Sequence, residues 1–395
     1  MPVWLYLLLL AVPGAVASEV FHASPLLTFI LAALGIIPLA GLIGEATESL
    51  AERVGPLVGG LLNATFGNAA EFIIGVSALA AGLPGVVRAA IAGAIIGNAL
   101  FTLGSAMLVG GWRYGLQRFQ ERNAGQYALM LALAVVGLSV PSLLATIGAG
   151  PTSGASTVHG LALHEMSLVV AALLLVSYVG YLAFSVFGVR AARRENGAPE
   201  QTPNPSTASV PPVRSGSAPV MSQERAPAEG GGLEGLIRRW RQRGMLFDVL
   251  TLLVATALVA VVSELLTGAI EPLSRNLHLS SFFVGLIVLP LVGGAAEYAT
   301  AVRAALADHM EATMAITAGS SIQIALLIAP LLILISPLIG ATLDLDFTQL
   351  ELVIFGLVAG LFAIISLDGE STWLEGLQLC VFYLIVAVGA FFITG

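Results

Sequence analysis

Two glutamates stand inside runs apolar enough to cross a bilayer: Glu71 in "GNAAEFIIG", from Gly67 to Gly75, and Glu297 in "GGAAEYATAV", from Gly293 to Val302. A charged side chain at the centre of a hydrocarbon core costs about 2.5 to 3.5 kcal/mol on insertion scales, so something must offset it. A divalent cation between the two carboxylates would do so, and so would protonation of both. Asn68 lies three residues before Glu71, one helical turn, and so on the same predicted face. Gly67, Gly293 and Gly294, with Pro290 nearby, weaken the helices at this depth and let backbone carbonyls turn inward. Carboxylate, amide and carbonyl oxygens together form the donor set that hard calcium prefers.

The glutamates belong to a weak internal repeat. "VGGLLNATFGNAAEF" from Val58 aligns without gaps to "VGLIVLPLVGGAAEY" from Val284, setting Gly59 on Gly285, Gly67 on Gly293 and Glu71 on Glu297. At nearly equal intervals downstream follow "GAIIGN", ending at Asn98, and "GSSIQ", ending at Gln323. Each half thus supplies a glutamate on one helix and a carboxamide on the next. The candidate metal ligands are Glu71, Glu297, Asn68, Asn98, Gln323, Gly67, Gly293 and Ser320, with Glu71 and Glu297 also the proton-coupling pair. For Ser320 and Ser321 helix packing is the simpler reading. Glu45, Glu48 and Glu52 share one helical face near the end of the second predicted span, as a cytoplasmic entrance for cations or as a marker of the bilayer edge. His164, Asp308 and His309 carry no assigned role.

The elements that must hold these residues are transmembrane helices. The chain is 57% hydrophobic and 10% charged, with a mean hydropathy of +0.94, which excludes an ordinary soluble domain. A ruler of about 20 apolar residues gives about eleven predicted helices, near 3-18, 25-44, 56-81, 86-111, 124-146, 161-189, 246-271, 280-305, 312-338, 348-367 and 372-394. The first also reads as a secretory signal ending in "AVAS", but it lacks a basic n-region, and the retained helix is preferred. All 16 basic residues are arginine and the net charge is -8, so no nucleic acid is expected as a partner. Cys380 is the only cysteine, which excludes an internal disulfide and a cysteine zinc site.

Arginine placement sets the orientation. Arg113, Arg118 and Arg122, and the group from Arg190 to Arg243, lie an even number of spans apart and are assigned to the cytoplasm. The N-terminus then lies inside and the C-terminus outside. Arg88 and Arg275 are the exceptions on the outer side. Residues 190-245 are rich in proline, serine and glycine and read as a flexible cytoplasmic linker. The expected division is therefore a peripheral helix at 1-24, a five-helix repeat at 25-189, the linker at 190-245 and a second five-helix repeat at 246-395. An odd count of helices between equivalent positions inverts the second repeat relative to the first and sets the site at their interface near the midplane.

"LLNATFGNAAEFIIGVSAL", "GGAAEYATAV", "ALADHMEATMAITAGSSIQIALL" and "GEATESLAERVG" resemble the signature segments of the calcium/proton exchangers, the cation exchanger branch of the calcium/cation antiporter superfamily. The resemblance covers nearly the whole chain. It implies an all-α polytopic fold of one peripheral helix plus two inverted five-helix repeats, with Glu71 and Glu297 as an alternating-access site for transported Ca2+ and H+. It implies no cofactor, no enzyme activity and residence in the lipid bilayer of a bacterial inner membrane, and leaves a homo-oligomer open. The second motif departs from the family pattern, having Gly294 where asparagine is usual and Tyr298 where histidine is usual. Rival functions remain: a Mn2+/H+ or sodium-linked exchanger suits the same oxygen ligands, and acidic rings also build cation channels. An intramembrane protease is disfavoured, since "LHEMS" at Leu163 lacks the second histidine of a zinc site.

Overall fold

The computed structural model describes residues 6–54, 56–148, 159–183, 244–277 and 279–393. The predicted linker at 190-245 lies outside the described residues except at its last two positions. The chain forms helices α1 (Ala11–Val20), α2 (Pro25–Val54), α3 (Pro56–Phe66), α4 (Ala69–Ala80), α5 (Pro84–Tyr114), α6 (Glu121–Gly148) and α7 (His159–Ala183) before the undescribed stretch. After it come α8 (Met245–Gly268), α9 (Ile270–Leu277), α10 (Ser281–Gly293), α11 (Ala295–Leu306), α12 (Met310–Ile339), α13 (Gln349–Ile365) and α14 (Trp373–Phe392).

Among the described residues, 7 helices are long and apolar enough to cross a membrane, and the pair α10–α11, bent by 59°, makes 8. The three other predicted spans differ. The first appears as the short helix Leu8–Val20, the third is broken into α3 and α4, and the tenth is the 17-residue α13. The second span outruns its prediction: α2 continues to Val54 because Ala46, Thr47, Leu50 and Ala51 stay buried while Glu45, Glu48 and Glu52 are exposed. The protein is an integral membrane protein built of helices.

Local chemistry sets the helix ends. Pro84 opens α5, where its missing N–H costs nothing. Thr348 with Glu351 and Thr372 with Glu375 form capping boxes on α13 and α14. Two strands, β1 (Leu116–Arg118) and β2 (Glu370–Thr372), pair antiparallel and tie the chain after α5 to the start of α14.

The buried side chains form two large apolar clusters. One joins α1, α2, α8 and α9 with parts of α4 and α10, the other joins α5, α6, α7, α12, α13 and α14. Helix α4 contributes Ala69, Ala70 and Ile74 to the first and Ala78 and Leu79 to the second, so the residues around Glu71 stand where the clusters meet.

The two glutamate helices run in opposite directions. Beyond the turn after α4, Arg88 pairs with Asp346 at 3.3 Å, on the face where His164 meets Asp344 at 2.7 Å. Beyond α11, Asp308 accepts a 2.9 Å bond from Gln117 Nε2, and the Leu306 carbonyl accepts from Tyr114 at 2.8 Å. That face is the one carrying Arg113 and Arg118.

Candidate functional site

Both glutamates follow a break in a helix. Between α3 and α4 the chain passes through Gly67 and Asn68, whose φ and ψ of -109° and 32° are not helical. A β-carbon on Gly67 would meet the Asn63 carbonyl oxygen at 2.6 Å, so glycine is required there. Between α10 and α11 the break is Gly294, with Pro290 four residues earlier donating no N–H. Asn68 is therefore not one turn back on a continuous helix, as the spacing predicts, but the residue that begins α4. Its side chain makes no cap bond and is free to reach across the core.

It reaches the second half of the chain. Asn68 Nδ2 donates to Gln323 Oε1 at 2.5 Å, Ser320 Oγ donates to Asn68 Oδ1 at 2.8 Å, and Asn98 Nδ2 donates to Ser320 Oγ at 2.9 Å. This chain of bonds ties the α3–α4 break to α5 and α12. Asn68, Asn98 and Ser320 are buried at 1%, 5% and 6% exposure, where an unmade bond would cost about 1–3 kcal/mol. Ser320 thus does more than pack, whereas Ser321, fully buried, bonds chiefly back to the Thr317 carbonyl of its own helix at 3.0 Å and only at 3.5 Å to the Ile95 carbonyl of α5.

Glu71 lies against the opposite break. A methyl group on Gly293 would stand 3.1 Å from Glu71 Cγ, and one on Gly294 would stand 3.8 Å from both Glu71 Oε1 and Asn98 Oδ1. A carboxylate oxygen from one helix and an amide oxygen from the next therefore flank the same bare backbone. Glu297 lies in the first turn of α11. Its Oε2 is buried with no hydrogen-bond partner among the described residues. Gln323 approaches Gly67, whose added methyl would lie 3.4 Å from Gln323 Oε1.

Two π-helical segments occupy matching places, Gly97–Thr102 in α5, which contains Asn98, and Ile324–Ile328 in α12, directly after Gln323. Such bulges rotate the following side chains out of the helical register and recur at functional sites.

Space is unequal on the two sides of Glu71. A cavity of about 210 Å³ opens toward Asn98, Phe101, Thr102, Tyr298 and Tyr383, in the direction of the Arg113 face. The other, about 30 Å³, is lined by apolar residues including Ile74, Ala78, Val87 and Ile91. Glu45, Glu48 and Glu52 border neither. Thr102 and Tyr383 are absent from the candidates read from sequence. Thr102 was findable, one turn beyond Asn98, to which it donates at 3.4 Å, but no spacing links Tyr383 on α14 to either glutamate.

A family profile described as sodium/calcium exchanger protein matches residues 24–187 and 247–392, which include every one of these side chains. The chain belongs to that family. It is 40% identical over 364 residues to a Ca(2+)/H(+) antiporter of Synechocystis, covering 92% of this chain and 90% of the relative. A Ca(2+)/H(+) antiporter of Aphanothece halophytica is 37% identical over 385 residues, covering 98% and 95%. The solved structure of native YfkE superposes with a TM-score of 0.76 at 29% identity, covering 98% of this chain and 99% of that one. This exchanger-family chain carries its candidate site on broken helices.

Proposed function

We propose that the protein is a secondary active antiporter that exports Ca2+ from the cytoplasm in exchange for H+, by alternating access at Glu71 and Glu297. The observation that carries this reading is the approach of Glu71 Oε1 and Asn98 Oδ1 to the same point over Gly294, with a second carboxylate, Glu297, whose buried Oε2 has no partner among the described residues. Those oxygens suit a hard divalent cation. With calcium bound between two carboxylates the site is neutral, and with both protonated it is neutral again, so either form can cross between orientations. The empty, doubly ionised site is held back by the cost of its charge in a low dielectric.

In this reading the chain is a peripheral helix followed by two inverted five-helix repeats, joined by the 190-245 linker. Support comes from the matched breaks, the matched π segments and the opposite directions of α4 and α11. The Arg113 face is cytoplasmic, with the N-terminus inside, the C-terminus outside and the protein in a bacterial inner membrane. The two arginines that violate this orientation are neutralised locally, Arg88 by Asp346 at 3.3 Å and Arg275 by Glu271 at 2.7 Å. The larger cavity then opens Glu71 toward the cytoplasm.

Calcium uptake into everted vesicles under an imposed pH gradient, with and without sodium, tests the proposal. Uptake driven by proton exit and indifferent to sodium is the expected result. Uptake that needs sodium and ignores the pH gradient would favour a sodium-linked exchanger, calcium flux without proton movement a channel, and preference for manganese a different cargo.

A further inference from the structure

The smaller cavity shares Glu71, Ala94 and Pro290 with the larger one and continues from them in the other direction. Its walls run along α4 from Glu71 to Ala78 and along α5 from Ala94 back to Val87. On either helix that is about 10 Å, at a rise of about 1.5 Å per residue. Its far end stands beside Arg88, whose ion pair with Asp346 is partly exposed.

Of the side chains lining this layer, only that of Glu71 is polar. Ile324 and Ile328, the two ends of the π segment in α12, and Leu332 one turn further close it from the second half of the chain. Leu332 is pressed hardest against α4. A β-carbon on Gly75, one turn beyond Glu71, would stand 2.7 Å from Leu332 Cδ1 and 3.1 Å from its Cδ2, so the glycine is what admits the leucine this closely. The space that remains is about 30 Å³. That is room for about one or two waters, and a buried water needs about two to four polar partners, which this layer does not offer. A hydrogen-bonded file across about 10 Å, its oxygens about 2.8 Å apart, takes about three waters.

We infer that Leu332, with Ile324 and Ile328, forms a dry barrier between Glu71 and the Arg88 face that stops protons from crossing unless calcium is exchanged. Apolar constrictions shut a path by excluding water, and without a file of water a proton has no carrier across this layer. Glu71 takes or releases its proton through the larger cavity, on the Arg113 side. A wetted layer would pass the same proton on to the opposite face and dissipate the gradient that drives export. Leu332 therefore sets how tightly proton movement is coupled to calcium, not how well calcium binds. The inference rests on the proposed exchange.

The test uses the full chain in calcium-free proteoliposomes holding a pH gradient, with the membrane potential clamped and the internal pH followed by a dye. The unmodified protein should hold the gradient as protein-free vesicles do. Leu332→Ser, which shortens the side chain and places a hydroxyl beside Gly75, should dissipate it at least about fivefold faster. Should Leu332→Ser insert poorly, Val87→Thr keeps the shape of a lining side chain, adds a hydroxyl and should leak in the same direction. Leu131→Ser on α6, as deeply buried in the same apolar cluster but not lining the cavity, is the control. A gradient held by both lining variants, a leak in the unmodified protein, or an equal leak from Leu131→Ser overturns the inference. Failure of calcium to move protons through the unmodified protein would instead sink the proposed exchange, and because the leak is read without calcium the two failures are distinct.

Discussion

Gly93→Ala is the substitution whose consequence the helix packing dictates most directly. Gly93 on α5 faces α10 so closely that a β-carbon would stand 1.9 Å from the Leu286 carbonyl oxygen, 2.6 Å from its carbon and 2.8 Å from Pro290 Cγ. The first two are backbone atoms in a third π segment, Val284–Val288 of α10, and cannot swing aside. Helices α5 and α10 must therefore part by about 1 Å or more, and such overpacking costs about 1–3 kcal/mol. Small residues where membrane helices approach closely are what permit that contact. Pro290 lines both cavities beside Glu71, so the displacement is carried straight to the site. Misplacing positioned groups by about 1 Å can cost two orders of magnitude in a reaction rate, and on that basis transport should fall at least about tenfold. Detergent-solubilised protein should melt several degrees lower. Gly285→Ala makes the reciprocal contact, 2.7 Å from the Val86 carbonyl oxygen, and should act in the same direction more weakly. Gly319→Ala, with nothing within 4 Å of its added methyl, is the control. The reasoning fails if Gly93→Ala transports calcium and melts as Gly319→Ala does.

Glu71→Gln and Glu297→Gln should each abolish both pH-driven calcium uptake and calcium-dependent proton movement in protein that inserts normally. Substantial coupled exchange by either variant, measured in the same vesicles, would refute a two-carboxylate mechanism. Ser320→Ala strips one bond each from Asn68 and Asn98 and should lower stability by about 1–3 kcal/mol and slow transport. Ser321→Ala, losing a bond within its own helix and only a 3.5 Å contact to the Ile95 carbonyl of α5, should do neither to the same extent, and equal effects in melting and flux assays would count against the cross-helix network. Deleting roughly the middle half of residues 190–232 should leave uptake nearly intact, as expected of a stretch whose proline-, serine- and glycine-rich composition reads as a tether. Inactive but correctly inserted deletion protein would assign that stretch a transport role.

Much of this was legible because burial in a membrane leaves few reasons for a polar residue. Glu71, Glu297, Asn98 and Gln323 stand out against apolar neighbours, and the repeat pairs them by sequence alone. Helix limits were less legible. An apolar run shows where a span can lie but not where a glycine interrupts it, so α3 and α4 read as one span, and α2 appeared to end before its exposed acids. The cross-helix bonds of Ser320 were not legible for a related reason: a serine on a buried helix usually bonds its own backbone, as Ser321 chiefly does, and only the broken helix brings Asn68 within reach. Tyr383 carried no sequence signal at all, being set beside Phe101 by tertiary packing alone.

The two halves have divided the work of the site unequally. In the first half the residue at the helix break is Asn68, and both ends of its amide are spent on Gln323 and Ser320. It therefore acts as a clasp between halves before it can act as a ligand. At the equivalent place the second half has Gly294, which offers no side chain, and there Glu71 Oε1 and Asn98 Oδ1 come within 3.8 Å of the same point. Among the described residues Asn98 Oδ1 accepts only the long 3.4 Å contact from Thr102, a weaker engagement than the 2.8 Å bond that Ser320 donates to Asn68 Oδ1. In the proposed exchange, a clasp on one side and an open backbone on the other would give a cation a fixed wall and a free approach. That asymmetry is why exchanging equivalent residues between halves, despite the repeat, would not preserve the site: an asparagine at 294 would occupy the space where the oxygens converge, and a glycine at 68 would release the clasp.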